Sequence, residues 1–255
     1  MTIDYTYFIT LLSGGVIWEG FKFFYPDIKN YFDKRKKAKE ILFQNLDLAI
    51  KSADELFGKL ESLSKEDFAT FINIKNSNSD SPEHNQVYVC YLVAQFWASL
   101  ENIRLQSNYS SITRLKKGKE LLRFIETIES KKFRLLDRSK QRIVGESMIL
   151  NADNKFQIVS LYSFFDRLES DLKFSKWISE LKNVFNSSNH KEVRQKILVF
   201  GVIVAMFLDH FDNNQNIARR RSIYKNKLRT ESMKLIKYVL LKNYLGFIKD
   251  KNRYF

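Results

Sequence analysis

Residues Val87 to Leu105, VYVCYLVAQFWASLENIRL, form the most continuous apolar run that is long enough for a full helix. A few polar residues, Gln95, Glu101 and Arg104, fall within it. A helix apolar on nearly every side is stable only when other elements surround it. The segments that follow read as those elements. Two prolines, Pro26 and Pro82, and eight glycines among 255 residues leave few breakers, which favours long helices over a many-turned sheet. The fold expected is all-α: an N-terminal membrane-anchor helix, a long stalk helix, a helical bundle and a basic C-terminal helix.

Residues 5–25, YTYFITLLSGGVIWEGFKFFY, approach the apolar length of a membrane span, though Glu19 and Lys22 interrupt the second half. Lys29, Lys34, Arg35, Lys36 and Lys37 follow the apolar run, the reverse of a cleavable signal peptide. That order places the basic flank on the cytosolic side. Residues 1–26 are therefore expected to anchor the chain, single-pass, in a bacterial inner membrane with its bulk in the cytoplasm. The alternative is a cytoplasmic protein in which this segment packs in the fold. From 27 to 74 a long helix is expected. Leu42, Leu46, Ala49, Ala53, Leu56, Leu60 and Leu63 recur at spacings of four and three, a heptad seam that fits a coiled coil between copies or packing inside one bundle. The Asn- and Ser-rich residues 75–86 read as a linker, 87–212 as the bundle core, and 213–255 as a basic amphipathic helix.

The net charge of +14 calls for a polyanionic neighbour. Much of it lies in the last segment, where Arg219, Arg220, Arg221, Lys225, Lys227, Arg229, Lys234 and Lys237 are the expected contact surface. Such a segment suits an anionic membrane or a nucleic acid backbone. The lone Cys90 sits in the apolar run and reads as a small buried hydrophobe. No phosphate-binding glycine loop, serine-hydrolase elbow or zinc spacing is present, and His84, His190 and His210 are scattered. No cofactor or metal is expected, and a catalytic role less than a binding one. Asp209, His210 and Asp212 offer an acid–base grouping at a helix end, where plain solvation is the simpler reading.

One polar constellation stands out. Gln95, Glu101 and Arg104 lie on the central helix, and Arg138, Gln141, Arg142 and Glu146 on a later one. Glu101 with Arg104 and Arg142 with Glu146 are spaced to meet within a helical turn. Glu101, flanked by an apolar face, needs a cationic partner if buried. Gly145 would let the two helices approach. The cluster fixes helix register or forms a small anion pocket.

The segments Ala94, Gln95, Phe96, Glu101, Ile103, Arg104, then Gln141, Arg142, Ile143, Gly145, Glu146, Met148, then Leu208 and Asp209 resemble a family of uncharacterised bacterial helical proteins. The resemblance covers about residues 85–212. It implies a mostly helical bacterial domain and no particular activity. Together these readings suggest a non-catalytic, membrane-anchored interaction, sensor or effector module with the layout of a defence or stress protein. Its partners would be an anionic membrane surface, an unknown protein, and a second copy through the 42–63 seam. The alternative is a soluble basic nucleic-acid-binding protein.

Overall fold

The structure, a computed structural model, describes residues 15–72, 81–106, 112–152, 155–218 and 222–255. It is all-α apart from one small hairpin. In chain order it comprises α1 (Gly15–Lys65), α2 (Ala69–Ile72), α3 (Ser81–Gln106), α4 (Lys116–Glu129) and α5 (Arg138–Ser147). Strands β1 (Ile149–Ala152) and β2 (Lys155–Ile158) come next, then α6 (Leu161–Ser170), α7 (Leu172–Asn186) and α8 (Lys191–Phe211). A short α9 (Thr230–Lys234) leads directly into a π-helix over Leu235–Tyr244.

The central apolar run lies in α3, as its pattern requires. Val89 through Ala94, Phe96 through Leu100, and Ile103 are buried, and α3 packs on α1, α5 and α7. α8 is the second core helix, with every residue from Ile197 to Leu208 buried. The seven residues of the heptad seam are buried within this chain, where α1 packs on α3 and α8. The seam thus forms part of the bundle's own core.

Two polar devices set the α1–α3 register. Asn102 donates to Asn45 at 2.8 Å, Asn45 to Gln106 at 2.9 Å, and Gln106 back to Asn102 at 2.9 Å, a closed ring of amides. Elsewhere on the same interface, the Ser52 and Ser99 hydroxyls lie 3.1 Å apart. A one-residue slip would break both in a setting where unpaired polar groups are costly.

Several boundaries differ from the sequence reading. α1 runs 51 residues without a break, with Pro26 inside it, so the helix does not end at residue 26. Part of the expected anchor, residues 5–14, lies outside the described residues. Among the described residues no helix is long and apolar enough to cross a membrane. Glu19 and Lys22 account for this in the described part of the segment. α3 begins at Ser81, inside the expected linker, with Pro82 in the first turn where its missing N–H does no harm. Residues 149–152 pair with 155–158 as a hairpin, in register Ile149 with Ile158 and Ala152 with Lys155, inside the stretch expected to be helical bundle.

Among the described residues, the expected basic helix over 213–255 is instead loop and turns around one helical stretch, 230–244, with short 3-10 turns at Lys225–Lys227 and Lys251–Arg253. The Asp212 carboxylate accepts from the N–H groups of Asn216, Ile217 and Ala218 and turns the chain sharply after α8. Tyr224 then inserts its ring beside Gly201, where a β-carbon would lie 2.0 Å from the phenol oxygen. The phenol donates to Leu198 O at 3.1 Å. Ile236, Leu240, Leu241 and Leu245 are buried, and a spacing of four to five residues suits the wider i→i+5 turn seen in the Leu245-to-Leu240 bond. The chain end is tied to α8 by Tyr254 and Arg253, both of which donate to Asp209.

Candidate functional site

Three helices meet at one buried carboxylate. Glu129, the last residue of α4, accepts from Arg104 on α3 at 2.6 and 3.2 Å, and from Arg138 on α5 at 2.7 Å. Arg142, one turn further along α5, donates to it at 3.2 and 3.3 Å. Arg104 also donates to Glu101 at 2.8 Å. Gln141 sits beneath, accepting from Leu136 N–H and donating to the carbonyl of Ile128 near the end of α4.

The helices can come this close because Gly145 has no side chain. A β-carbon there would lie 3.0 Å from Glu101 Cγ and 3.1 Å from the Trp97 backbone. Glu101, Arg104, Arg138, Gln141 and Arg142 are therefore brought together, with Glu101 on Arg104 as the spacing expects and Arg142 on Glu129 rather than on Glu146. Gln95 and Glu146 are not. The Gln95 side-chain oxygen is buried elsewhere without a hydrogen-bond partner, and Glu146 is exposed.

The sequence reading missed the residue at the centre. Glu129 falls four after Ile125 and eight after Leu121, both buried, so it lies on the apolar face of α4. That placement was the available signal. It is obscured by local electrostatics. A carboxylate at a helix C-terminus and an arginine at a helix N-terminus are each disfavoured by the helix dipole. Only the tertiary pairing reverses the balance.

The two carboxylates have opposite environments. Burial pushes Glu101 above the ordinary glutamate range, and Arg104 only partly offsets it. Glu129 is also raised by burial, but hydrogen bonds from Arg104 and Arg142 outweigh this and hold it below the usual range. The cavity beside them, lined by Trp97, Glu101, Glu129 and Gln141, is only about 10 Å³. That is barely the room one water needs. The geometry braces α3, α4 and α5 and leaves no space for a ligand.

The other candidates separate in space. Asp209, His210 and Asp212 face different partners: Tyr254 and Arg253, Glu120 at 3.0 Å, and the 216–218 backbone. They form no acid–base unit. Of the expected basic surface, Arg219, Arg220 and Arg221 lie outside the described residues. Lys225 donates to the Asn252 carbonyl, Lys227 pairs with Asp67 at 2.8 Å, and Arg229 pairs with Glu192 at 2.7 Å. Lys237 stacks over Tyr238 and Phe255, and Lys234 is exposed. Lys227 and Arg229 therefore hold the C-terminal segment onto the body, while Lys225 and Lys237 make contacts within the segment.

Cys90 is fully buried, and burial pushes its thiol up to about 12, which suits an unreactive core residue. It borders an open cleft of about 370 Å³ between α3, α6 and α7, with His84 and Lys182 at the rim. Among the described residues no group of His, Cys, Asp and Glu is placed to hold a metal. The geometry thus defines a mostly helical body braced by a buried ion cluster. No family model matches this chain, and no match is found among curated proteins or solved structures.

Proposed function

We propose that this chain is a non-catalytic helical interaction or effector module held against an anionic membrane surface by the N-terminal part of α1. One observation carries the reading. Phe24, Tyr25, Ile28, Tyr31 and Phe32 are between 46% and 67% exposed, a run of large apolar side chains with no core beneath it. At about 100° per residue they fall within an arc of roughly 120° on the helix. Lys29 and Lys34 flank that arc, and Arg35, Lys36 and Lys37 follow it.

An aromatic face bordered by lysines is what an interfacial helix presents to lipid, with rings at the headgroup boundary and cations on the phosphates. A contiguous exposed apolar patch of this kind marks an interaction surface. On this reading the basic flank faces the cytosolic leaflet of a bacterial membrane. The bundle then stands in the cytosol, joined rigidly to the lipid contact through the unbroken α1.

The test is flotation of the full-length chain with vesicles of phosphatidylcholine alone or mixed with phosphatidylglycerol. Native protein should float with the anionic vesicles. The combined variant Phe24→Ser, Tyr25→Ser, Tyr31→Ser and Phe32→Ser should bind about tenfold more weakly or worse, with an unchanged melting temperature. Equal binding by both proteins would reject the aromatic face as the contact. Failure on vesicles combined with steeply salt-dependent DNA or RNA binding would replace this reading with nucleic-acid recognition.

A further inference from the structure

A second charged site lies at the other end of α1. A cavity of about 170 Å³ opens between the turn after α1, the first turn of α8 and the 227–229 loop. Four cationic side chains line it: Lys191, Arg194, Lys227 and Arg229. Two carboxylates answer them, Asp67 on Lys227 and Glu192 on Arg229. The balance of four cations and two acids is +2, and neither Lys191 nor Arg194 has an ion pair among the described residues.

Three of the four cations, Arg194, Lys227 and Arg229, are held in place. Gln195 donates to the Lys227 carbonyl at 2.8 Å and accepts from Arg229 N–H at 2.9 Å, which clamps the loop onto α8. Arg194 Nε donates to Ser188 O at 3.0 Å, which fixes its orientation. Asp67 adopts a left-handed backbone, φ 52°, followed by the buried Phe68 at φ 61°. The ring of Phe68 thereby pins the turn that carries Asp67 into the cavity wall.

We propose that this cavity is a binding site for a phosphate-class dianion, supplied by a small soluble phosphorylated molecule. Two guanidinium and two ammonium groups around one space match the charge and the donor chemistry of a phosphoryl group. The volume is below the roughly 300–1,000 Å³ of sites for drug-sized ligands. The site therefore recognises the phosphoryl group itself. Asp67 acts as an internal competitor that neutralises Lys227 until the anion arrives. Exposed ion pairs of this kind are weak and easily exchanged. The site shares no residue with the aromatic face of α1 and lies about 50 Å or more along the helix from it.

Isothermal titration of the full-length chain with inorganic phosphate, in chloride buffer at matched ionic strength, tests the site. Native protein should bind phosphate saturably. The Lys191→Gln/Arg194→Gln variant should bind about tenfold more weakly, while the control Lys234→Gln, outside the cavity, should match the native chain. Asp67→Asn keeps a residue that tolerates the left-handed backbone and removes the competing charge, so it should bind phosphate more tightly. A merely structural role for Asp67 would not produce that gain.

No saturable phosphate binding, or equal binding by the Lys191→Gln/Arg194→Gln variant, would overturn the proposal. So would binding only to phosphatidic acid vesicles that is lost in this variant, which would assign the site to a lipid headgroup. The aromatic-face variant should retain full phosphate binding, so this inference and the membrane reading fail separately.

Discussion

At the scale of single residues, Glu129 is the position where one substitution should do most harm. Removing it leaves three arginines facing one another, with Arg104 only 11% exposed. Breaking a buried ion pair costs about 3–5 kcal/mol, and the lower end applies because Arg138 and Arg142 reach solvent. Glu129→Ala should therefore lower the denaturant-unfolding free energy by about 3 kcal/mol with an unchanged slope. Glu101 should behave differently, because its charged form is the one burial disfavours. The folded-state shifts have opposite signs. Glu129, lowered, contributes stability above its unfolded value that is lost as pH falls through its folded one. Glu101, raised, contributes stability below its unfolded value that is lost as pH rises through its folded one. The two partly cancel in the acid range. Glu101→Gln removes the second contribution while keeping an acceptor for Arg104. Unfolding curves measured between neutral and acid pH should show a steeper acid loss for this variant than for the native chain. Parallel curves would mean that Glu101 titrates in an ordinary way.

At the scale of elements, the contact of α5 with α3 rests on Gly145. On an exposed helix, replacing glycine by alanine stabilises by about 1 kcal/mol. Here the added methyl meets the Trp97 backbone at 3.1 Å and cannot be relieved by a rotamer change, because the obstacle is main chain. Overpacking costs about 1–3 kcal/mol, so Gly145→Ala should destabilise by about 1 kcal/mol net, read as a lower unfolding midpoint. A gain in stability would show that α5 can move away from α3 without loss. The same elements mark what could be read from the sequence. α3 and the seam of α1 were legible because apolar periodicity is a local signal that burial preserves. The pairing of Glu101 with Arg104 was legible because a charge on an apolar face must be answered. Glu129 was hidden because its local position argues against a carboxylate and its partners lie on two other helices. The C-terminal segment was misread because composition made it one basic amphipathic helix. The Asp212 cap and the insertion of Tyr224 beside Gly201 are contacts with α8 that no local pattern announces.

At the scale of the whole molecule, α1 joins two parts with different requirements. It is 51 residues long, about 76 Å, and its first buried side chain among the described residues is Leu42. Below that point Tyr31 touches the body through Arg114, whose guanidinium stands 5.9 Å from the ring centre. An exposed cation–π contact of that kind is worth about 0.5–1 kcal/mol. The body should therefore fold without the projecting part. A chain lacking residues 1–37 should keep its helical circular dichroism and unfold within about 1 kcal/mol of the full-length protein. The amide ring of Asn45, Asn102 and Gln106 and all seven seam residues remain in it. The same truncated chain should no longer float with anionic vesicles yet should still bind phosphate, since Lys191, Arg194 and Asp67 are untouched. A truncated chain that unfolds would make the projecting helix part of the fold. One that stays folded and still floats would move the membrane contact onto the bundle and its C-terminal lysines.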